Sequence, residues 1–153
     1  YWVRLIAGPA TGVSVASSRF WLGTGQTTAS TDVDPSTVTN AIGAGYDSAD
    51  TNIQIMTRGP GAVTKTDTGI AVPTTDRAAL YEIIIYQPPG ATQEAYIQFT
   101  DLINGTVFSK TETTGANLPN SGTSLTPKVY SSVGGTSSVI GVALHSCFIT
   151  SDF

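Results

Sequence analysis

No stretch of a dozen residues in this 153-residue chain places apolar side chains at i, i+3, i+4 and i+7, the spacing that gives a helix one buried stripe. Apolar residues come instead in short runs rich in Thr, Val and Ile, cut off every few residues by Gly, Pro, Asn or Asp. β-branched side chains fit a pleated, half-buried surface better than a helix, and the interrupting residues are those that turns demand. The pattern predicts roughly eight to ten short strands and leaves little room for any class but a sandwich or barrel. A jelly-roll-like antiparallel β-sandwich is the expected fold, with residues 1–153 forming a single domain. A domain of this length buries roughly 70 % of the surface its unfolded chain exposes, so it needs no disulfide or metal for a core. The chain starts at Tyr1, in a strand-like run without an initiator methionine, and is expected to be the C-terminal part of a longer chain.

The strands can be placed from their punctuation. Residues 1–7 alternate and meet a turn at Gly8-Pro9; residues 13–22 follow and close at Gly23-Thr24-Gly25. The Thr- and Asp-rich segment 26–36 is too polar for the core and is expected to be a long loop. Residues 41–46 and 52–58 form a predicted hairpin around Asp47-Ser48-Ala49-Asp50, with Ile53 and Ile55 on a buried face and Asn52, Gln54 and Arg58 on an open one. Gly59-Pro60-Gly61 ends it, and a polar section containing Pro73 follows. Residues 80–86 then give the most strand-like run, stopped by Gln87-Pro88-Pro89-Gly90. Residues 94–102, the hairpin signal Asn104-Gly105 and residues 106–112 come next. A connector at 118–127, a strand at 128–133, a turn at Gly134-Gly135 and a long closing strand at 139–150 complete the chain.

Two of these strands are apolar on both faces. In 80–86, Tyr81, Ile83 and Ile85 alternate with Glu82, Ile84 and Tyr86; in 139–150, Ile140, Val142, Leu144 and Phe148 alternate with Val139, Gly141, Ala143, Cys147 and Ile149 around His145. A free-standing sandwich with solvated outer faces shows cleaner alternation. Either a second subunit covers the extra face, or a loop of the same chain does. The subunit reading makes Ile84, Tyr86, Val139, Ala143, His145 and Ile149 candidates for an oligomer interface.

Charge narrows the partners. Charged residues make up 12 % of the chain and the net charge is −4, so the polar surface is mostly hydroxyl and amide. Nucleic-acid affinity rests on clustered Lys and Arg, whereas the seven basic residues are scattered. No apolar run reaches the ~18 to 20 residues a bilayer-spanning helix needs, so no membrane insertion is expected. The single cysteine, Cys147, excludes an intrachain disulfide and reads as a small buried thiol.

Catalytic constellations do not emerge. His145 sits among apolar neighbours, and no G-x-S-x-G elbow singles out a serine. Glu82, Glu94 and Glu112 fall on separate strands with outward parity, unlike a glycosidase pair facing across a cleft. Asp32-Val33-Asp34 and Asp47-Ser48-Ala49-Asp50-Thr51-Asn52 have the carboxylate density of calcium loops but lack the central Gly and distal Glu, and read better as turn aspartates. No cofactor or metal is expected. Glycan recognition needs only an aromatic platform beside groups that pair with hydroxyls. Trp21, Tyr46, Tyr86 and Tyr96 are candidates for the platform, with Asp47, Asp50 and Asn52 beside Tyr46; Trp21 and Trp2 read equally as core anchors.

Residues 44–54 (Ala-Gly-Tyr-Asp-Ser-Ala-Asp-Thr-Asn-Ile-Gln), Val72-Pro73-Thr74-Thr75-Asp76-Arg77, Asn117-Leu118-Pro119, Leu125-Thr126-Pro127 and residues 134–144 precede an ending Phe148-Ile149-Thr150-Ser151-Asp152-Phe153. Together they resemble the C-terminal domain of structural proteins of tailed bacteriophages, the tail-fibre, tailspike and head-fibre class. The resemblance implies a β-sandwich head, a homotrimer, displayed outside a virion and contacting other virion proteins. It also implies recognition of host cell-surface polysaccharide, with a purely structural head-fibre or decoration role as the alternative. Hydrolytic tailspikes carry their carboxylates in a separate β-helix, a repeat this sequence lacks, so a glycan-processing enzyme is the least favoured reading.

Overall fold

The computed structural model describes residues 1–26, 32–90 and 93–150. Ten strands follow one another: β1 (Trp2–Thr11), β2 (Arg19–Gln26), β3 (Ala41–Tyr46), β4 (Asn52–Arg58), β5 (Thr64–Ala71), β6 (Tyr81–Tyr86), β7 (Ala95–Asp101), β8 (Thr106–Glu112), β9 (Leu125–Ser132) and β10 (Gly141–Thr150). They form two antiparallel five-stranded sheets, sheet A in the order β10-β1-β6-β7-β8 and sheet B in the order β5-β4-β3-β2-β9. The expected all-β sandwich is what the chain adopts. As in a jelly roll, the first strand pairs with the last and the second with the second-last. The inner strands instead run as two meanders, β2 to β5 and β6 to β8.

Alternation along the strands builds the core. Val3, Leu5 and Ala7 of β1, Tyr81, Ile83 and Ile85 of β6, and Ala95, Ile97 and Phe99 of β7 face Phe20, Leu22, Ile42, Ala44, Ile53 and Ile55 of sheet B. A second, smaller cluster lies on the outer side of sheet B, where Trp21, Ala41, Met56 and Tyr130 pack with Val33 and Val38. The polar segment after β2 therefore roofs sheet B, its 3₁₀ turn at Pro35–Thr37 laid across the strands. This roof is why β4, expected to be half-buried, is covered on both faces, Gln54 and Met56 included.

Several boundaries differ from the sequence expectation, each for a local reason. β1 continues through Gly8-Pro9, where no turn forms, because β6 pairs only as far as Ala7 and the missing Pro9 N–H is not needed on that side. Residues 13–18 form turns rather than strand, with Ser17 at φ +69°, and β2 starts at Arg19. Gly23 and Gly25 lie inside β2. β9 begins two residues before Pro127, which an edge strand tolerates. β5 falls in the polar section where no strand is expected, because Thr64, Lys65, Thr66, Asp67 and Thr68 give an edge strand almost no apolar content. Asn104-Gly105 belongs to a four-residue loop, not a two-residue turn: Asp101 pairs with Thr106, and its carboxylate accepts the N–H groups of Ile103 and Asn104 at 2.9 and 3.2 Å. The expected loop residues 27–31 and the ending Ser151-Asp152-Phe153 lie outside the described residues.

Candidate functional site

Cross-strand partners share a face of a sheet, so the register of sheet A maps its outer surface. One row reads Thr150, Trp2, Tyr86, Tyr96, Thr111 from β10 to β8; the next reads Phe148, Arg4, Ile84, Gln98, Ser109. Tyr86 and Tyr96 stack with centroids 5.9 Å apart and planes 24° from parallel, and they remain 40 % and 42 % exposed. Trp2 meets Phe148 edge-on at 5.1 Å one strand farther along. A shallow groove of about 330 Å³ runs beside the tyrosines, lined by Ile84, Gln98, Ser109 and Thr111 among others. The Tyr96 hydroxyl donates to Glu94 Oε1 at 2.7 Å, which raises its pKa and keeps the phenol neutral. Around the rings stand one amide, two hydroxyls and a carboxylate, the mixture that pairs with sugar hydroxyls while an aromatic face covers a ring's C–H side.

The glycan candidates expected around Tyr46 are not brought together. Trp21 is fully buried under the roof of sheet B, and Tyr46, 1 % exposed, packs in the core on Phe20 with ring centroids 6.1 Å apart. Neither offers a ring face to solvent, and each lies on the opposite side of sheet B from the other. The loop that follows Tyr46 spends its polar groups internally. Asp47 accepts the Ser36 N–H at 3.0 Å and Lys65 Nζ at 3.0 Å. Asp50 accepts Lys65 Nζ at 2.5 Å and the Asp47 N–H at 2.9 Å, and Asn52 Nδ2 donates to the Asp67 carboxylate at 3.0 Å. Burial works against the Lys65 charge, yet its bonds to Asp50 and Asp47 prevail and raise its pKa. Asp34 pairs with Arg19 and accepts the Ser48 N–H at 3.0 Å; these contacts outweigh burial and lower its pKa. The aspartates thus clamp the roof to the β3–β4 turn. Among the described residues no group of three or more His, Cys, Asp or Glu side chains is placed to hold a metal ion.

Glu112 corrects another expectation. Its parity is inward, and it is buried at the β8 margin of the core, 3.1 Å from Lys110 Nζ, with Thr57 Oγ1 donating to it at 3.3 Å. Burial raises its pKa, but the Thr114 N–H, Lys110 and Asn117 overcome that and lower it. Glu82 pairs with Arg4 at 2.5 Å on the outer face. These carboxylates do not share a cleft.

The interface candidates separate into two places. Ile84 and Tyr86 join Tyr96 on the open face of sheet A, which no loop among the described residues covers. Ala143, His145 and Ile149 belong to β10, and Val139 stands exposed just before it. A β-bulge at His145, between the pairs Ile6–Ser146 and Ala7–Leu144, switches the alternation. Leu144, Cys147 and Ile149 consequently share the inward side that the unbroken pattern had divided. They project past sheet B: Leu144 is 56 % and Ile149 46 % exposed, and Cys147, expected to be buried, is exposed. Sequence reasoning named Tyr86 and Tyr96 separately; only the register across the β6–β7 connection makes them one platform. No family model, no curated protein and no solved structure matches this chain.

Proposed function

We propose that this domain is a non-enzymatic recognition module of a bacteriophage tail fibre or tailspike, exposed on the virion, that binds host-surface carbohydrate on the outer face of sheet A. The observation that carries this reading is the exposed, stacked Tyr86–Tyr96 pair set among Gln98, Ser109 and Thr111 on a flat face. A flat aromatic surface bordered mainly by amide and hydroxyl groups, with Glu94 on Tyr96 and Lys110 along the groove, suits a neutral or weakly charged saccharide, and the virion context rests on the resemblance of residues 44–54, 72–77, 134–144 and 148–153 to that protein class. Covering two tyrosine faces, on the order of 100 Å² of apolar area, contributes about 2 to 3 kcal/mol at ~25 cal/mol per Å². A single such site with a few hydrogen bonds binds in the millimolar range, about −4 kcal/mol, so useful adhesion requires several copies acting together.

β10 supports self-association. This edge strand carries no charged residue or proline, and Leu144, Phe148 and Ile149 are about half exposed. Natural edge strands are usually guarded by charges or bulges, and here the β1–β10 ladder is interrupted at His145 and again between Pro9 and Thr11. Pairing with other copies of the chain, as in the expected homotrimer, would satisfy the free edge and cover the overhanging side chains. The purely structural reading, docking on another virion protein without a ligand, would use the same edge and leave the tyrosines idle.

Glycan-array binding of the assembled protein to host lipopolysaccharide or capsule separates these roles. Binding that falls at least tenfold in Tyr96→Ala supports recognition, and no binding by the oligomer favours the structural role. Steady release of reducing ends from the same polysaccharide would overturn the non-enzymatic assignment.

A further inference from the structure

A second concavity of about 450 Å³ lies at the opposite end of sheet A, some six residues of β6, or roughly 20 Å, from the tyrosine pair. Its walls are mostly hydrocarbon: Pro9, Ala79, Leu80 and Ile103. The connector before β6 is pressed onto β1 at Gly8, where any Cβ would collide with the Ala79 carbonyl, and this close approach closes one side. Its lining includes two groups able to donate to an anion, Arg77 and His145, and no carboxylate.

Both groups are held in unusual ways. Arg77 has φ +59°, the left-handed region that glycine enters freely and residues with a Cβ adopt only rarely. The turn that holds it is tied down beside it, where Asp76 Oδ1 accepts the Val13 N–H at 3.0 Å and the Ala78 N–H bonds Thr75 O at 3.3 Å. Arg4, Arg19, Lys65 and Lys110 each have a carboxylate partner, whereas the Arg77 guanidinium makes no hydrogen bond or ion pair with a described residue. His145 is the extra residue of the β10 bulge, a device that re-aims one side chain out of a regular strand. A strained backbone, a bulge and a guanidinium with no ion pair among the described residues therefore meet at one mostly apolar pocket of ordinary ligand size, where Arg77 and His145 are both exposed.

We infer that this pocket binds a small carboxylate carried on a largely apolar or ring skeleton. The guanidinium would take the carboxylate through two parallel N–H donors, His145 would supply a further N–H, and the skeleton would lie against Leu80, Ile103 and Pro9. The site is independent of the tyrosine platform, so the inference does not rest on the carbohydrate reading. Two sources share this chemistry, a hexuronic acid of a polysaccharide and a simple organic acid, and the test carries an arm for each.

The test is calorimetric or NMR titration of the intact chain with benzoate, D-glucuronate and their neutral counterparts benzamide and D-glucose. At least one carboxylate is expected to bind tenfold or more tightly than its neutral counterpart; preference for glucuronate identifies an acidic sugar, preference for benzoate an organic acid. Arg77→Gly removes the guanidinium and relieves the backbone, so it is expected to abolish that preference while keeping or raising the melting temperature. Tyr86→Ala with Tyr96→Ala is expected to leave the preference unchanged. Equal binding of charged and neutral ligands, or a preference that survives in Arg77→Gly, would overturn the assignment.

Discussion

The indole of Trp21 lies against Gly43 so closely that a Cβ built there would stand 2.6 Å from Trp21 Cζ2 and 2.6 Å from the Leu22 carbonyl oxygen. Gly23 adjoins the same ring, and the alternation Ala41-Ile42-Gly43-Ala44-Gly45 leaves the outer face of β3 nearly bare beneath it. Gly43→Ala is expected to lower stability by about 3 kcal/mol, since both obstacles are packed or backbone atoms that cannot yield. Gly25→Ala is the control: its Cβ would meet Val38, Lys128 and Ala41 at ordinary distances of 3.5 to 3.7 Å. That variant should be neutral or up to ~1 kcal/mol more stable. Urea unfolding followed by tryptophan fluorescence measures both.

The Lys110–Glu112 pair offers a double-mutant cycle. Lys110→Met strands a buried carboxylate and is expected to cost about 3 kcal/mol, while Lys110→Met with Glu112→Leu should recover most of it, as an apolar pair replaces an ionic one. A loss in the double variant equal to the sum of the Lys110→Met and Glu112→Leu losses would show that the two side chains act independently.

The same carboxylate sets an acid limit. The folded-state pKa of Glu112 is below its ordinary value, as is that of Asp34. Their stabilisation is therefore full above the unfolded values near 4 and is lost as pH falls through the folded ones. Glu112→Gln is expected to be less stable than the parent at pH 7, with the gap closing toward pH 2 to 3 in thermal melts. A gap that stays constant with pH would contradict the assignment.

Lys65 works at the other end of the scale. Its pKa is raised by Asp50 and Asp47 against the effect of burial, so its contribution is present below about pH 10.4 and fades as pH rises through the folded value. Lys65→Met should loosen the roof over sheet B. Amide exchange at Ser36 and Ser48, whose N–H groups bond Asp47 and Asp34, is expected to quicken at least tenfold at pH 7. In the parent chain the same amides should lose protection only above about pH 10.

Residues with a clear period of two were legible from the sequence. β6, β7 and β8 and the β3–β4 hairpin fall within a residue of their expected limits, because their inward positions are consistently apolar and their ends carry Gly, Pro or Asp. Where polar side chains do the packing, the pattern fails: β5 is nearly all Thr, Lys and Asp, and Glu112 points inward because Lys110 on the same face neutralises it. Alternation along β2 sets Trp21 opposite Phe20 and Leu22, but its burial depends on the roof that folds back from residues 32–38. The His145 bulge leaves no sequence mark, and it redistributes the closing strand between two faces. For the candidate site, Tyr86 and Tyr96 were each visible as aromatics. Their adjacency depends on the β6–β7 register, which a connection of eight residues, Gln87 to Glu94, does not specify.

The most direct measurement of the carbohydrate reading is heteronuclear NMR of the domain during titration with polysaccharide from the host surface. Shifts concentrated at Tyr86, Tyr96, Gln98, Ser109 and Thr111, and lost in Tyr86→Ala with Tyr96→Ala, are the expected result. Shifts confined to β10 or to the Tyr46–Asn52 loop, or no shifts at millimolar saccharide, would contradict it.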